Sequence, residues 1–267
     1  RNCEKLQKHM RLLLDKGGLY KIYNGNLLFH GCIPLNEDGS LKEIQIYGKK
    51  YKGRELYDVL ETYVRRAFFA VDSMEQRKGM DILWFIWASP SSPLFGKDKM
   101  TTFERYFIAD KETHKETKGA YYHLLENEEV VDTLLQEFDL SPENGHIING
   151  HVPVHQGEGE SPVKCNGKVI VIDGGFCKAY QKVTGIAGYT LIYNSYGLIL
   201  SAHEPFTSKE DAVSKESDIV SNRVSVHYTS KRRLVGDTDT GKALRERIEE
   251  LMQLLDAYRK GYIKEKK

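Results

Sequence analysis

Leu27-Leu28-Phe29-His30-Gly31-Cys32-Ile33-Pro34 and Ile147-Ile148-Asn149-Gly150-His151-Val152-Pro153 share one local design. In each, an apolar run suited to a core strand delivers a histidine where glycine and proline force a tight loop. A strand fixed in a sheet holds its last residues rigidly, so such a position projects an imidazole from a firm support. Imidazole is the commonest neutral side-chain ligand for divalent transition metals. Either histidine alone reads more simply as a hydrogen-bonded structural group. Two copies of the design bring forward the other reading, a ligand pair of His30 and His151.

Outward from these stretches the pattern is mixed. Asn24-Gly25 between Leu19–Tyr23 and Asn26–His30 is a hairpin signal. Glu43–Tyr47 alternates as a short strand. Leu56, Val59, Leu60, Tyr63, Ala67, Phe68 and Val71 mark the buried stripe of a helix over Glu55–Gln76. Met80–Trp87 is apolar throughout and reads as buried. Tyr106–Ile108 reads as a strand and Tyr121–Phe138 as a helix. Beyond Pro142, strands are expected at His146–Asn149, Val169–Ile172, Tyr189–Tyr193, Leu198–Ser201 and Val224–Tyr228, so the sheet should form mainly after residue 145. Ala243, Leu244, Ile248, Leu251, Met252 and Leu255 sit at helical spacing in a terminal helix over 241–260.

Composition narrows the function. Against 39 Lys and Arg stand 38 Asp and Glu, a net charge of +1, so no global field draws the chain to nucleic acid or membrane. The longest apolar run, Ile82–Ala88, is far short of the roughly 20 residues that span a bilayer. The four cysteines show no metal-type spacing, which suits reduced thiols and a cytoplasmic location. An anionic ligand would then meet a local cluster such as Lys97, Lys99 and Arg105, in a loop flanked by Phe95 and Phe103. A solvated loop explains those charges about as well.

LLFHGCIPL at 27–35, FGKDKMTTFERYFI at 95–108, NGHVPV at 149–154 and GKVIVIDGGFCKAYQKVTGIAGYTLIYNSYGL at 167–198 together resemble the class III fructose-1,6-bisphosphatases of bacteria, a branch of the calcineurin-like metallophosphoesterases. The likeness runs from about Leu19 to Tyr228. It implies an α/β (α+β) fold: the C-terminal half of a metallophosphoesterase β-sandwich flanked by helices. The whole chain, 1–267, would be a single partial domain with a mainly helical insertion at about 50–140. His30 matches the family's His-Gly segment and His151 its second Gly-His loop, so the resemblance makes both metal ligands. It also implies two divalent ions, most plausibly manganese, a two-metal hydroxide mechanism acting on the 1-phosphate of fructose 1,6-bisphosphate, and a role in gluconeogenesis.

The family's other ligand motifs, Asp-x-His, Gly-Asp-x-x-Asp-Arg and Gly-Asn-His, do not occur in this sequence. Gly236-Asp237-Thr238-Asp239-Thr240-Gly241 has a different spacing and reads as a helix start capped by Asp239 or Thr240. The expectation is therefore a C-terminal portion of a longer enzyme, with no catalytic residue of its own and inactive alone. Lys97, Lys99 and Arg105 are the substrate-binding candidates for a sugar bisphosphate. Lys178 and Lys182 are further anion candidates, and His155 is a group behind the ligands or a surface histidine. Self-association through an exposed sheet edge, giving a homo-oligomer, is a further expectation. A metallophosphoesterase with another substrate, or a non-catalytic module that kept the fold, are the alternatives.

Overall fold

The structure is a computed structural model and describes residues 3–173, 177–206, 208–216 and 221–264. In chain order the elements are α1 (Glu4–Lys16), β1 (Tyr20–Tyr23), β2 (Asn26–Phe29), β3 (Ile44–Ile46), β4 (Lys49–Tyr51), α2 (Gly53–Phe69), α3 (Ser73–Ala88), α4 (Thr102–Phe107), α5 (Ala120–His123), α6 (Glu128–Glu137), β5 (His146–Asn149), β6 (Val163–Lys164), β7 (Val169–Val171), α7 (Lys178–Thr184), β8 (Gly188–Asn194), β9 (Gly197–His203), α8 (Lys209–Ser214), β10 (Ser221–Tyr228) and α9 (Asp239–Arg259). The fold is thus mixed α/β. The backbone divides into two compact units, Arg1–Thr190 with Ala202–Asn222, and Leu191–Ser201 with Arg223–Lys267.

The first unit is built on a sheet in the order β1-β2-β5-β7-β6. Asn24 and Gly25 both take positive φ, +50° and +79°, which turns β1 back antiparallel onto β2. β2, β5 and β7 run parallel, with Leu27 opposite Ile147 and Ile147 opposite Val169. Parallel strands are covered on both faces, and β5 and β7 are buried along their whole length.

Helices supply part of that cover. Leu56, Tyr57 and Leu60 of α2 and Val131 and Leu135 of α6 are fully buried. The Tyr57 ring meets Phe29 of β2 at 6.1 Å and Phe138 at 5.9 Å. Ile82 and Ile86 of α3 join Ile44, Ile46, Leu56 and Leu60 in a second cluster. α3 approaches α2 so closely that a Cβ at Gly79 would lie 2.4 Å from the Ala67 nitrogen. Only glycine fits there.

Several sequence expectations are corrected. The helix expected over Glu55–Gln76 is two, because Ala70 is extended (ψ 136°) and Asp72 caps α3 by accepting from Glu75 N at 2.9 Å. Met80–Trp87 is not buried throughout: helical geometry turns Trp84 and Trp87 outward, 61% and 52% exposed, while Ile82 and Ile86 face the core. Tyr106 and Phe107 end a short helix, not a strand. The helix expected over Tyr121–Phe138 is interrupted, and Asn127 restarts it as the cap of α6. Two strands that precede residue 145, β1 and β2, belong to the main sheet. α1 has no buried residue.

The second unit holds the outer part of the β8–β9 hairpin, most of β10 and α9. Thr238, rather than Asp239 or Thr240, caps α9 by accepting from Gly241 N at 3.1 Å. Leu244, Ile248, Leu251 and Leu255 on α9 are exposed. Among the described residues no helix is long and apolar enough to cross a membrane.

Candidate metal centre

Because β2, β5 and β7 are parallel, they end at the same edge of their sheet. Ligand sites of parallel sheets form where the carboxyl ends of neighbouring strands open. His30 follows β2, Gly150 and His151 follow β5, and Ile172 and Asp173 follow β7. Main-chain bonds lock the three loops together. Gly150 N donates to His30 O, Ile172 N to Asn149 O and Val154 N to Asp173 O, each at 2.9 Å.

The two histidines meet there. Nε2 of His30 lies 3.0 Å from Nδ1 of His151, with ring centroids 4.9 Å apart and planes at 67°. The other nitrogen of His151, Nε2, lies 2.9 Å from the carbonyl oxygen of Phe95. A carbonyl can only accept, so that nitrogen carries the proton and Nδ1 presents a bare lone pair. His30 Nε2–H then donates into it. Burial, with the His30 ring adding to it, holds His151 below the ordinary imidazole pKa, so it is neutral at pH 7. His151 sits at φ +70°, a left-handed backbone that costs a non-glycine residue roughly 1–3 kcal/mol and that the surrounding bonds must hold.

Two imidazole nitrogens at 3.0 Å, one with its tautomer fixed, suit two bonds of about 2.0–2.1 Å to one transition-metal ion. Among the described residues no cluster of three or more His, Cys, Asp or Glu side chains could hold a metal. The fit is to part of a centre. The pair opens on a cleft of about 1040 Å³, lined also by the apolar Leu28, Ile148 and Ile172, by Lys21 and Asp173, and by Leu13 of α1.

The loop that carries Phe95 is strapped down. Lys97 pairs with Glu116 at 2.7 Å, Thr101 gives Glu116 two further hydrogen bonds, and Asp98 receives Thr117 N at 2.7 Å. Burial alone would raise the Glu116 carboxyl, but the bonds from Lys97 and Thr101 outweigh it and hold its pKa at about 2. Beneath the strap, Cys32 is buried and its thiol pushed up to about 12, while Tyr57 OH donates to Cys32 O at 2.8 Å. All four cysteines are free.

Of the residues singled out from sequence, His30 and His151 are in direct contact. Lys97 lies close enough to act electrostatically on His151, but its ammonium already faces Glu116. Lys99 is exposed. Arg105 lies on α4 rather than in a loop, and its guanidinium turns back to Thr101 Oγ1 at 3.0 Å and His114 O at 3.1 Å. His155 lies 3.8 Å from Glu158, not at the pair. Lys182 is exposed; Gly174, Gly175 and Phe176, and the side chain of Lys178, lie outside the described residues. Asp173, Asn149 and the Phe95 carbonyl were not singled out. Asp173 could have been found as the polar residue ending a third apolar strand; a main-chain acceptor leaves no trace in a sequence.

The fold and the paired imidazoles define an α/β chain with a histidine-lined cleft at its parallel strand ends. The chain belongs to the family described as Firmicute fructose-1,6-bisphosphatase, which matches residues 1–260. It is 58% identical over 266 residues to the class 3 fructose-1,6-bisphosphatase of Clostridioides difficile (strain 630), and 56% identical over 265 residues to that of Clostridium tetani (strain Massachusetts / E88). The corresponding protein of Clostridium botulinum (strain Loch Maree / Type A3) is 55% identical over 265 residues. In each case 99% of this chain is covered, and it spans 40% of the relative's length. No solved structure matches the chain.

Proposed function

We propose that this chain forms one side of the active site of a fructose-1,6-bisphosphatase, which hydrolyses the 1-phosphate of fructose 1,6-bisphosphate in gluconeogenesis. The observation that carries the reading is the 3.0 Å contact between His30 and His151 at the mouth of the cleft. The remaining ligands and the proton donor to the leaving alkoxide come from the part of the family's polypeptide that this sequence does not include. That part also completes the β-sandwich. His30 and His151 would hold a divalent ion, manganese in the first instance, whose chemistry there would be to activate a water and to withdraw charge from the phosphate.

The residues here have definite tasks in that scheme. His151 offers Nδ1, because Phe95 holds the proton on its other nitrogen. His30 offers Nε2 once it gives up its proton. The apolar lining of Leu28, Ile148 and Ile172 keeps water from that part of the cleft, which strengthens charge interactions beside it. Lys97 and Lys99 face the phosphate remote from the metals, with Lys97 exchanging Glu116 for substrate, and Arg105 keeps their loop in shape. The site acts in the cytoplasm.

The test is a set of paired assays. Purified alone, this chain should show no metal-dependent turnover of fructose 1,6-bisphosphate. The longer protein should show it, prefer it to phosphopeptides and nucleotides, and lose it on His30→Ala or His151→Ala. Turnover by the chain alone overturns the division of the site, and a longer protein indifferent to His151→Ala overturns the whole reading. The absence of a third ligand among the described residues favours one second reading, a non-catalytic module. An inactive longer protein would establish it.

A further inference from the structure

We infer that Asn149 is the positioning residue that sets the spacing of the two imidazoles, an inference that rests on reading His30 and His151 as a ligand pair. Asn149 is 1% exposed, and its Nδ2 donates to Gly31 O at 3.1 Å. Gly31 is the residue directly after His30, and Asn149 stands two before His151. The Asn149 carbonyl accepts from Ile172 N, and the next amide, Gly150 N, donates to His30 O. One residue therefore fastens the loops after β2, β5 and β7.

The loop it grips is held from the far side as well. Cys32 N donates to Pro93 O at 2.8 Å, and a Cβ on Gly31 would lie 2.4 Å from that same oxygen. Gly31 is thus fixed between Pro93 and Asn149, and His30 inherits its position from that grip. With the amide gone, the Gly150–His30 main-chain bond and the imidazole contact itself are what still join the two histidine loops among the described residues.

The amide is a poor choice for stability alone. Asn149 Oδ1 is buried with no hydrogen-bond partner, and an orphaned polar atom in an apolar interior is unfavourable. A leucine of similar size would fill the same space and remove that orphan, though it would leave Gly31 O without the donor it has here. What leucine lacks is the directed bond to Gly31. Outer groups that orient ligands in this way change metal affinity 10–100-fold when removed.

The experiment compares Asn149→Leu and Asn149→Ala with the unaltered chain, and with Asn26→Ala as a control. Asn26 is also buried in β2 and bonds Tyr23 O and Asn24 O at the opposite end of the strand. Cobalt(II) uptake is followed by visible absorption, folding by thermal unfolding, and the imidazoles by ¹⁵N chemical shifts in metal-free protein. Asn149→Leu, which exchanges the orphaned Oδ1 for an unpaired Gly31 O, should unfold close to the unaltered chain yet bind cobalt 10–100-fold more weakly, with altered ring shifts for His30 and His151. Asn26→Ala should lower the unfolding temperature while its cobalt affinity stays within twofold. Cobalt affinity within twofold for both Asn149 variants, or an equal loss in Asn26→Ala, overturns the assignment. If the unaltered chain takes up no cobalt, two imidazoles alone are too few to hold the ion, and the ring shifts alone decide Asn149. Unchanged shifts then overturn it, and Asn149→Ala is read the same way should Asn149→Leu not fold.

Discussion

The carbonyl oxygen of Phe95 lies 2.9 Å from Nε2 of His151 and thereby selects which nitrogen of that ring faces His30. A main-chain atom from the loop after α3 thus decides the chemistry of a histidine that follows β5.

His151 holds a left-handed backbone, φ +70°, which glycine adopts without strain and alanine does not. Both His151→Gly and His151→Ala remove the ligand and should abolish cobalt uptake. They should differ in stability, with glycine ahead of alanine by about 1–2 kcal/mol in urea denaturation. Equal stabilities would mean that the backbone at this position relaxes.

Gly96 also has positive φ, +65°, and a Cβ there would meet Cys32 Sγ at 2.8 Å and the Tyr122 ring at 2.9 Å. Gly96→Ala should cost about 1–3 kcal/mol. It should also shift the Phe95 carbonyl away from His151. The ¹⁵N shifts of the His151 ring report the second effect, and unchanged shifts would show that the strap moves independently of the pair.

Glu116 titrates near 2, below the ordinary value of 4.5, because Lys97 and Thr101 bind its charged form against the opposing effect of burial. A carboxyl with a depressed folded pKa adds stability in full above about pH 4.5, and that stability is lost as pH falls towards 2. Glu116→Gln should therefore narrow its stability gap to the unaltered chain across that window, as read by urea unfolding at stepped pH. A gap independent of pH would show that the ion pair contributes nothing.

α3 offers an internal comparison. Ile86 is 5% exposed in the cluster with Leu56 and Leu60, whereas Trp87 beside it is 52% exposed. Ile86→Ala should cost about 2–5 kcal/mol. Trp87→Ser should stay within about 0.5 kcal/mol, since it empties no core space. Comparable losses would mean that the Trp84–Trp87 face is covered in solution.

What could be read from the chain follows physical lines. His30 and His151 were legible because strand, glycine and proline are local signals, and the hairpin at Asn24-Gly25 was legible for the same reason. The break at Ala70 was missed because its cause is the cap formed by Asp72, weaker in sequence than the apolar stripe that runs through it. Met80–Trp87 was misjudged because composition does not say which side of a helix has a neighbour. The grip of Asn149 on Gly31 and of Phe95 on His151 could not be read at all. Both join residues brought together only by tertiary folding, and in each the acceptor is a main-chain carbonyl.

The partners in the imidazole contact are 121 positions apart in sequence. Parallel pairing of β2 with β5 cannot begin until everything between them has been looped out, and contacts of such long range form slowly. The His30–His151 distance should therefore be among the last to reach its native value during refolding. A probe of those two rings would time the completion of the whole α/β core rather than the growth of any one helix.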